Sequence, residues 1–329
     1  MEKSNRILVP ALSFTLITSW GSLYYSFAIL NRPILAELQM SAAETVGAFS
    51  LALLVWGLCA YPVGKIVDRH GGRHVMTLGS CLSAVLFLTL SQTTSIGLFY
   101  AVWIGLGVAM SMTLYEPAFA IMVATYPRTY RQWISVLTLT GGLASTVFWP
   151  LTHLLVTHLG WRSAVLVLGA IQIAVCAPLH WWVLPSGSTA AARRVDAPQP
   201  VSGQLEPESR PVEFLRAPAF WFMASCFMAF GFVTSAMAVH VIPLLEACGA
   251  APAAAIAFAA LIGPMQVSGR LAELLLGGRV PALAMGTFTV SLIPIALIAL
   301  LIGRPSSVLF YVFIATYGCL LYTSPSPRD

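Results

Sequence analysis

Gly64-Lys65-Ile66-Val67-Asp68-Arg69-His70-Gly71-Gly72-Arg73-His74 lies between two long apolar runs and packs an acid and several cationic side chains between glycines. So short a stretch cannot hold a domain, and it reads as a charged hairpin turn between two membrane helices. Gly64 would let two backbones approach closely. Asp68 can accept from a helix N-terminus or meet a cation, and Lys65, Arg69 and Arg73 would hold the turn on the cytoplasmic side of a bilayer. A charged turn of this kind can latch one group of helices against another.

The chain on either side supports that reading. It is 58% hydrophobic and 9% charged, with a mean hydropathy of +0.84, more apolar material than a soluble core of this length can hide. Crossing a hydrocarbon core of about 30 Å takes about 20 mostly apolar residues. Stretches near residues 7–30, 45–63, 75–92, 97–125, 133–157, 162–184, 218–244, 252–268 and 281–302 meet that requirement, and a further one opens near Ser306. The predicted fold is therefore an all-α membrane protein. Threading these spans with a cytoplasmic N-terminus puts Lys3, Arg6, Arg128, Arg131, Arg193, Arg194, Arg210, Arg216, Arg270 and Arg279 on the same side as the charged turn, and only Arg32, Arg162 and Arg304 opposite. The net charge of +5 thus reports membrane orientation and implies no nucleic-acid partner. Ile7 to Leu30 is long enough to span and runs directly into Asn31-Arg32-Pro33, so it reads as a retained signal anchor. None of the six cysteines forms a Cys-x-x-Cys pair, and neither a disulfide framework, a metal site nor a cofactor is expected.

Residues 185–217 change character, with Pro185, Pro198, Pro200, Pro207 and Pro211 among small and charged residues, and read as a cytoplasmic linker. It divides an N-terminal unit, residues 1–184, from a second unit, residues 218–318. The second echoes the first: Gly64 and Asp68 are four apart and precede Gly71-Gly72-Arg73, and Gly269 and Glu273 are four apart and precede Gly277-Gly278-Arg279. Residues 319–329 break the last apolar run with a polar, proline-rich string, which a membrane helix cannot use to finish crossing. That string looks like read-through of a sequencing adapter.

Among residues able to carry transport, Glu116 is the acid placed within a span, next to Pro117, which removes a helix hydrogen bond and makes a local irregularity. An intramembrane carboxyl is a candidate for loading and releasing a proton. His153 and His240, near the ends of spans 5 and 7, titrate in the range needed to sense acidity. Arg270 ends span 8, where it can contact an anion or snorkel to headgroups. Tyr24, Tyr25, Trp149 and Gln172 can supply hydrogen bonds to a central cavity, with helix packing as the alternative.

The charged turn resembles the signature loop of the major facilitator superfamily, Gly-x-x-x-Asp-Arg/Lys-x-Gly-x-Arg/Lys-Arg/Lys, matching at Gly64, Asp68, Arg69, Gly71 and Arg73, with His74 in place of the last basic residue. The run Gly141-Gly142 through Trp149-Pro150, followed by Gly160-Trp161-Arg162, is similar to the monocarboxylate-transporter-like branch, as are His240-Val241-Ile242-Pro243 and Gly263-Pro264 through Arg270. Two features of other branches are not carried: the Gly-Pro-x-x-Gly-Gly of drug-proton antiporters in span 5, and the acid followed four residues later by arginine in span 8 of animal monocarboxylate carriers. The resemblance implies two six-helix bundles related as parallel repeats, of which the second is incomplete here, lacking most of span 10 and all of spans 11 and 12. It further implies a secondary active transporter of a bacterial cytoplasmic membrane. Such a protein moves a small organic solute by alternating access, with proton-coupled symport and a carboxylate cargo as the finer expectation. Its partners would be the lipid bilayer, the solute and protons. Rival readings are a transporter-derived sensor and an efflux permease for drug-like metabolites. An enzyme is not expected, because no Walker motif and no cluster of catalytic groups appears within the spans.

Overall fold

The computed structural model describes residues 2–187, 218–276, 282–303 and 308–320. All regular structure among them is helical. Span 1 comprises α1 (Glu2–Ser19), a π-helical turn (Trp20–Tyr25) and α2 (Phe27–Glu37). Span 2 is α3 (Ala42–His70) and span 3 is α4 (Gly72–Ser91). Span 4 is broken into α5 (Ile96–Thr113) and α6 (Tyr115–Thr125). Span 5 is α7 (Tyr130–Gly141) and the first part of α8 (Ala144–Ile171); α8 continues into span 6, which ends in a second π turn (Gln172–Cys176) and α9 (Ala177–Val183). In the second unit, α10 (Pro218–Ala247) is span 7, and α11 (Pro252–Ala260) with α12 (Ile262–Leu276) forms span 8. Spans 9 and 10 are α13 (Ala282–Ile302) and α14 (Val308–Leu320).

Local chemistry sets where these helices begin and turn. Ser41 starts α3 with a reciprocal cap: its hydroxyl accepts from the Glu44 backbone N–H at 3.2 Å while the Glu44 carboxylate accepts from the Ser41 N–H at 2.7 Å. Ser95 caps α5 by accepting from the Leu98 N–H. α3 has 29 residues and so measures about 44 Å, more than the bilayer core requires. This corrects the expectation of a turn over residues 64–74. The helix carries Lys65, Asp68 and Arg69 out past the membrane boundary, and only Gly71, at φ +85°, reverses the chain. Spans 5 and 6 are likewise joined at a single residue, Gly160, with φ +77°. Both sites need the left-handed backbone that glycine adopts without a steric penalty.

The spans alternate in direction, giving the molecule two ends. The loop end carries Gly71, the end of α9 and the start of α10. The far end carries the Glu37–Ser41 turn, Gly160 and the Ala247–Pro252 turn. The core of the first unit is built around Phe27, Phe49 and Trp103, with Phe27 stacked on Phe49 at 4.3 Å and the Trp103 edge against both rings. A second core joins the units, since Ala28 and Trp149 of the first pack with Met237, Val241, Ile242 and Leu245 of the second. In a bilayer such contacts are held by close packing rather than by expulsion of water. Most of the linker, residues 188–217, and the tail from 321 onward lie outside the described residues.

Candidate functional site

A cavity of about 370 Å³ lies halfway along the spans, between the two units. Trp20, Tyr24 and Tyr25 of span 1, Tyr115 and Phe119 of span 4 and Ser145 and Trp149 of span 5 form one side. Phe230, Thr234 and Met237 of span 7, Gln266 of span 8 and Tyr317 of span 10 form the other.

Irregular backbone positions the first side. A π turn inserts one extra residue into a helix and leaves a carbonyl without its regular partner, and such turns concentrate at functional sites. At Trp20–Tyr25 the turn rotates Trp20, Tyr24 and Tyr25 together onto the cavity. The carbonyl of Tyr25 accepts from the Trp149 indole N–H at 3.0 Å, which ties span 5 to the turn. The second π turn lies behind the first. There Gln172 donates to the Ser22 hydroxyl at 2.8 Å and reaches the Ser19 hydroxyl at 3.4 Å, clasping the two irregular segments of spans 1 and 6. Gly21 lets span 5 close on the first turn, because a Cβ there would run into the Phe148 ring.

Span 4 breaks at Leu114, whose ψ of −147° is not helical. Glu116 therefore sits in the first turn of α6, where unpaired backbone N–H groups favour a negative charge. It is partly buried and its Oε2 has no hydrogen-bond partner. The Trp56 indole lies beside the carboxyl, short of hydrogen-bond geometry. Trp56 packs on Trp20, with ring centroids 5.5 Å apart, and Trp20 on Tyr115 at 4.9 Å. Glu116 is thus one side chain behind the cavity wall.

Of the residues singled out from the sequence, Tyr24, Tyr25 and Trp149 line the cavity. Gln172 does not; it is fully buried in the clasp. His153 and His240 are also off the lining, and His240 is exposed. His153 lies a turn beyond Trp149 toward the far end, whereas His240 stands at the depth of Val241 but faces outward. The helix position of Arg270 is described, but its side chain lies outside the described residues. Sequence reasoning missed Trp20, Tyr115, Phe119, Thr138, Thr234 and Gln266. Tyr115 and Phe119 flank Glu116, a signal available but unused, whereas Trp20 faces the cavity only because of the π turn.

The charged segment behaves differently from the expectation for Gly64. A Cβ at Gly64 would meet nothing within 4 Å, so no backbone packs against it in this conformation. The close approach is at Gly71, where a Cβ would strike the carbonyl of Gly187. Arg73 donates through Nε to the Leu184 carbonyl at 2.6 Å, and the His74 ring meets Trp181 edge-on. Lys65 covers the Tyr61 ring at 4.5 Å, Asp68 is partly buried and Arg69 is exposed. The segment binds the end of span 6 and the beginning of the linker.

At the far end the units are joined by charge. Arg32 of α2 pairs with Glu246 of α10. Nearby, Arg162 donates to Glu37 at 2.8 Å and to the Thr93 carbonyl at 2.9 Å, while Trp161 also donates to Glu37. Between this end and the cavity, the Thr146 hydroxyl donates to the Ala260 carbonyl at 2.8 Å, at the break between α11 and α12.

Residues 11–327 match the Major Facilitator Superfamily. The chain is 25% identical to an uncharacterized MFS-type transporter, YcxA, of Bacillus subtilis, over 99% of this chain and 80% of that protein. It is 31% identical to human monocarboxylate transporter 11, over 50% of this chain and 34% of that protein. Among solved structures, a bacterial homologue of the human lysosomal transporter Spinster, in an inward-facing and occupied conformation, aligns with a TM-score of 0.67 at 18% identity, covering 98% of this chain and 73% of that one. The nucleoside transporter NupG aligns with a TM-score of 0.63 at 14% identity, covering 96% of this chain and 79% of that one.

Proposed function

Because the chain belongs to the Major Facilitator Superfamily, and so is a multi-pass membrane transporter of a small solute and not an enzyme, we propose that it works by alternating access at the cavity between its two helical units. The observation that carries this reading is the unequal closure of the cavity. Toward the far end, Arg32–Glu246, Thr146–Ala260 and the apolar seam of Trp149, Val241 and Leu245 hold the units together. Toward the loop end, Arg73 donates to the Leu184 carbonyl and His180 meets the Ser80 hydroxyl, both within the first unit. With the positively charged end cytoplasmic, this is an inward-facing state of a protein in a bacterial cytoplasmic membrane. Gly64, Asp68, Arg69, Gly71 and Arg73 would then act as the loop-end gate, with Gly64 free here and packed only when that end closes.

Glu116 is the proposed proton carrier, which makes the protein a proton-coupled symporter. Its unpartnered oxygen and its position behind Trp20 and Tyr115 support the role, because loading or losing a proton there changes what the cavity wall packs against. The names of the monocarboxylate transporters among its relatives suggest an organic acid as cargo, but the described cavity lining supplies no cationic side chain to such an anion. Moving the chain in lipid nanodiscs from alkaline to acidic buffer should change its tryptophan fluorescence, as Glu116 takes up a proton beside Trp56 and Trp20. Glu116→Gln should abolish that change with helicity intact. A fluorescence titration that survives in Glu116→Gln would contradict the proton-carrying role.

A further inference from the structure

The cavity lining also specifies solute chemistry. Successive rings along its first side stand nearly perpendicular: Trp20 to Tyr24 at 71°, Tyr24 to Tyr25 at 85° and Tyr25 to Trp149 at 83°. In each edge-to-face pair the edge of one ring covers one face of its neighbour, so this side is a cornered aromatic surface on which a flat ring can stack on a face left toward the cavity and meet the edge of the next residue. The volume of about 370 Å³ accommodates a two-ring solute with room for water.

Two threonines of the lining have a definite direction. The Thr138 hydroxyl donates to the carbonyls of Ile134 and Ser135 at 2.9 and 3.0 Å. Across the cavity, the Thr234 hydroxyl donates to Phe230 and Gly231 at 3.0 and 3.1 Å. A hydroxyl has one proton, so with that proton committed to its own helix each threonine can only accept from a solute. The indole N–H of Trp149 is committed to the Tyr25 carbonyl. Donors are present on the lining too, since the Trp20 indole N–H and the Ser145 hydroxyl have no partner, so charge rather than hydrogen bonding sets a carboxylate apart. Among the described lining side chains there is no Lys, Arg or His to offset its charge, and an unpaired charge away from water is costly.

We propose that the cavity takes an aromatic solute that carries N–H donors and no negative charge, stacked against Trp20, Tyr25 and Trp149 and donating to Thr138 and Thr234. This rests on the reading of the cavity as the solute site. Four probes of one ring system test it by calorimetry on the 329-residue chain in lipid nanodiscs: indole, 1-methylindole, tryptamine and indole-3-acetate. Indole should bind about tenfold or more tightly than indole-3-acetate, with tryptamine between them because its ammonium adds donors but is also an unpaired charge, and indole about fivefold more tightly than 1-methylindole, the effect of about one hydrogen bond. Thr138→Val and Thr234→Val should each narrow the gap between indole and 1-methylindole. Ala238→Trp, or Ser145→Leu should the first misfold, fills the cavity and should abolish binding of every probe. Indole-3-acetate binding as tightly as indole, yet lost on filling the cavity, would overturn the proposed solute class and leave the site standing. Probe binding that persists after the cavity is filled would overturn the site as well. Failure of all four probes to bind would overturn the solute class.

Discussion

The two ends of this molecule are built on opposite principles. At the far end, polar and apolar contacts run from one unit to the other, through Arg32–Glu246, Thr146–Ala260 and the seam around Trp149. At the loop end, the described polar contacts lie within the first unit: Arg73 on Leu184, and His180 between Ser80 and the Met76 carbonyl. Charge alone therefore does not mark where the units are joined. The loop end has more charged residues in sequence, and there Arg73 and His180 secure spans 3 and 6 to one another.

If that contrast is sound, substitutions at the seam should cost more stability than substitutions at the charged segment. Trp149 is 2% exposed and serves both the π turn of span 1 and the inter-unit core. Trp149→Ala should lower unfolding stability in detergent by about 3 kcal/mol, the scale for emptying a buried aromatic site. A loss no greater than that of a lipid-facing substitution would break the comparison. Gln172→Leu removes the clasp between the π turns inside one unit and leaves the Ser22 hydroxyl without that donor. It should cost about 1–2 kcal/mol, read as a lower melting temperature.

At the loop end two glycines in one segment should part ways. Gly71→Ala must adopt a left-handed backbone beside the Gly187 carbonyl and should destabilise by about 1 kcal/mol. Gly64→Ala meets nothing here and should leave the melting temperature unchanged within about 0.5 kcal/mol, its effect being confined to the state in which the loop end closes. Equal destabilisation by both would show that Gly64 is already packed.

Much of this organisation was legible in the sequence. Apolar length located the spans, and the glycine-acid-base string located the reversal at the loop end. What misled was the charge of Lys65, Asp68 and Arg69, which suggests a loop although α3 simply continues out of the bilayer. The site was harder to read. Glu116-Pro117 pointed to an irregularity, and span 4 does break nearby, at Leu114. The π turns at Trp20–Tyr25 and Gln172–Cys176 contain neither proline nor a charge, so nothing local announces the extra residue that turns Trp20 to the cavity. Gln172 read as either a cavity group or a packing residue, and its amide packs against serines of span 1. Thr138 and Thr234 were invisible because their role depends on where their hydroxyl protons are spent, which only the three-dimensional arrangement shows.

Alternating access requires the far end to open, and the Arg32–Glu246 pair is the charge contact described between the units there. Spin labels at Ser41→Cys and Ala251→Cys, both exposed far-end positions on opposite units, introduced after the native cysteines are replaced, report that opening as a distance distribution in lipid nanodiscs. With Glu246 intact, the account predicts one short-distance population. With Glu246→Arg, like charges face each other and a second, longer population should appear. A distribution that stays single and unshifted in Glu246→Arg would contradict the claim that the far end is a gate between two moving units.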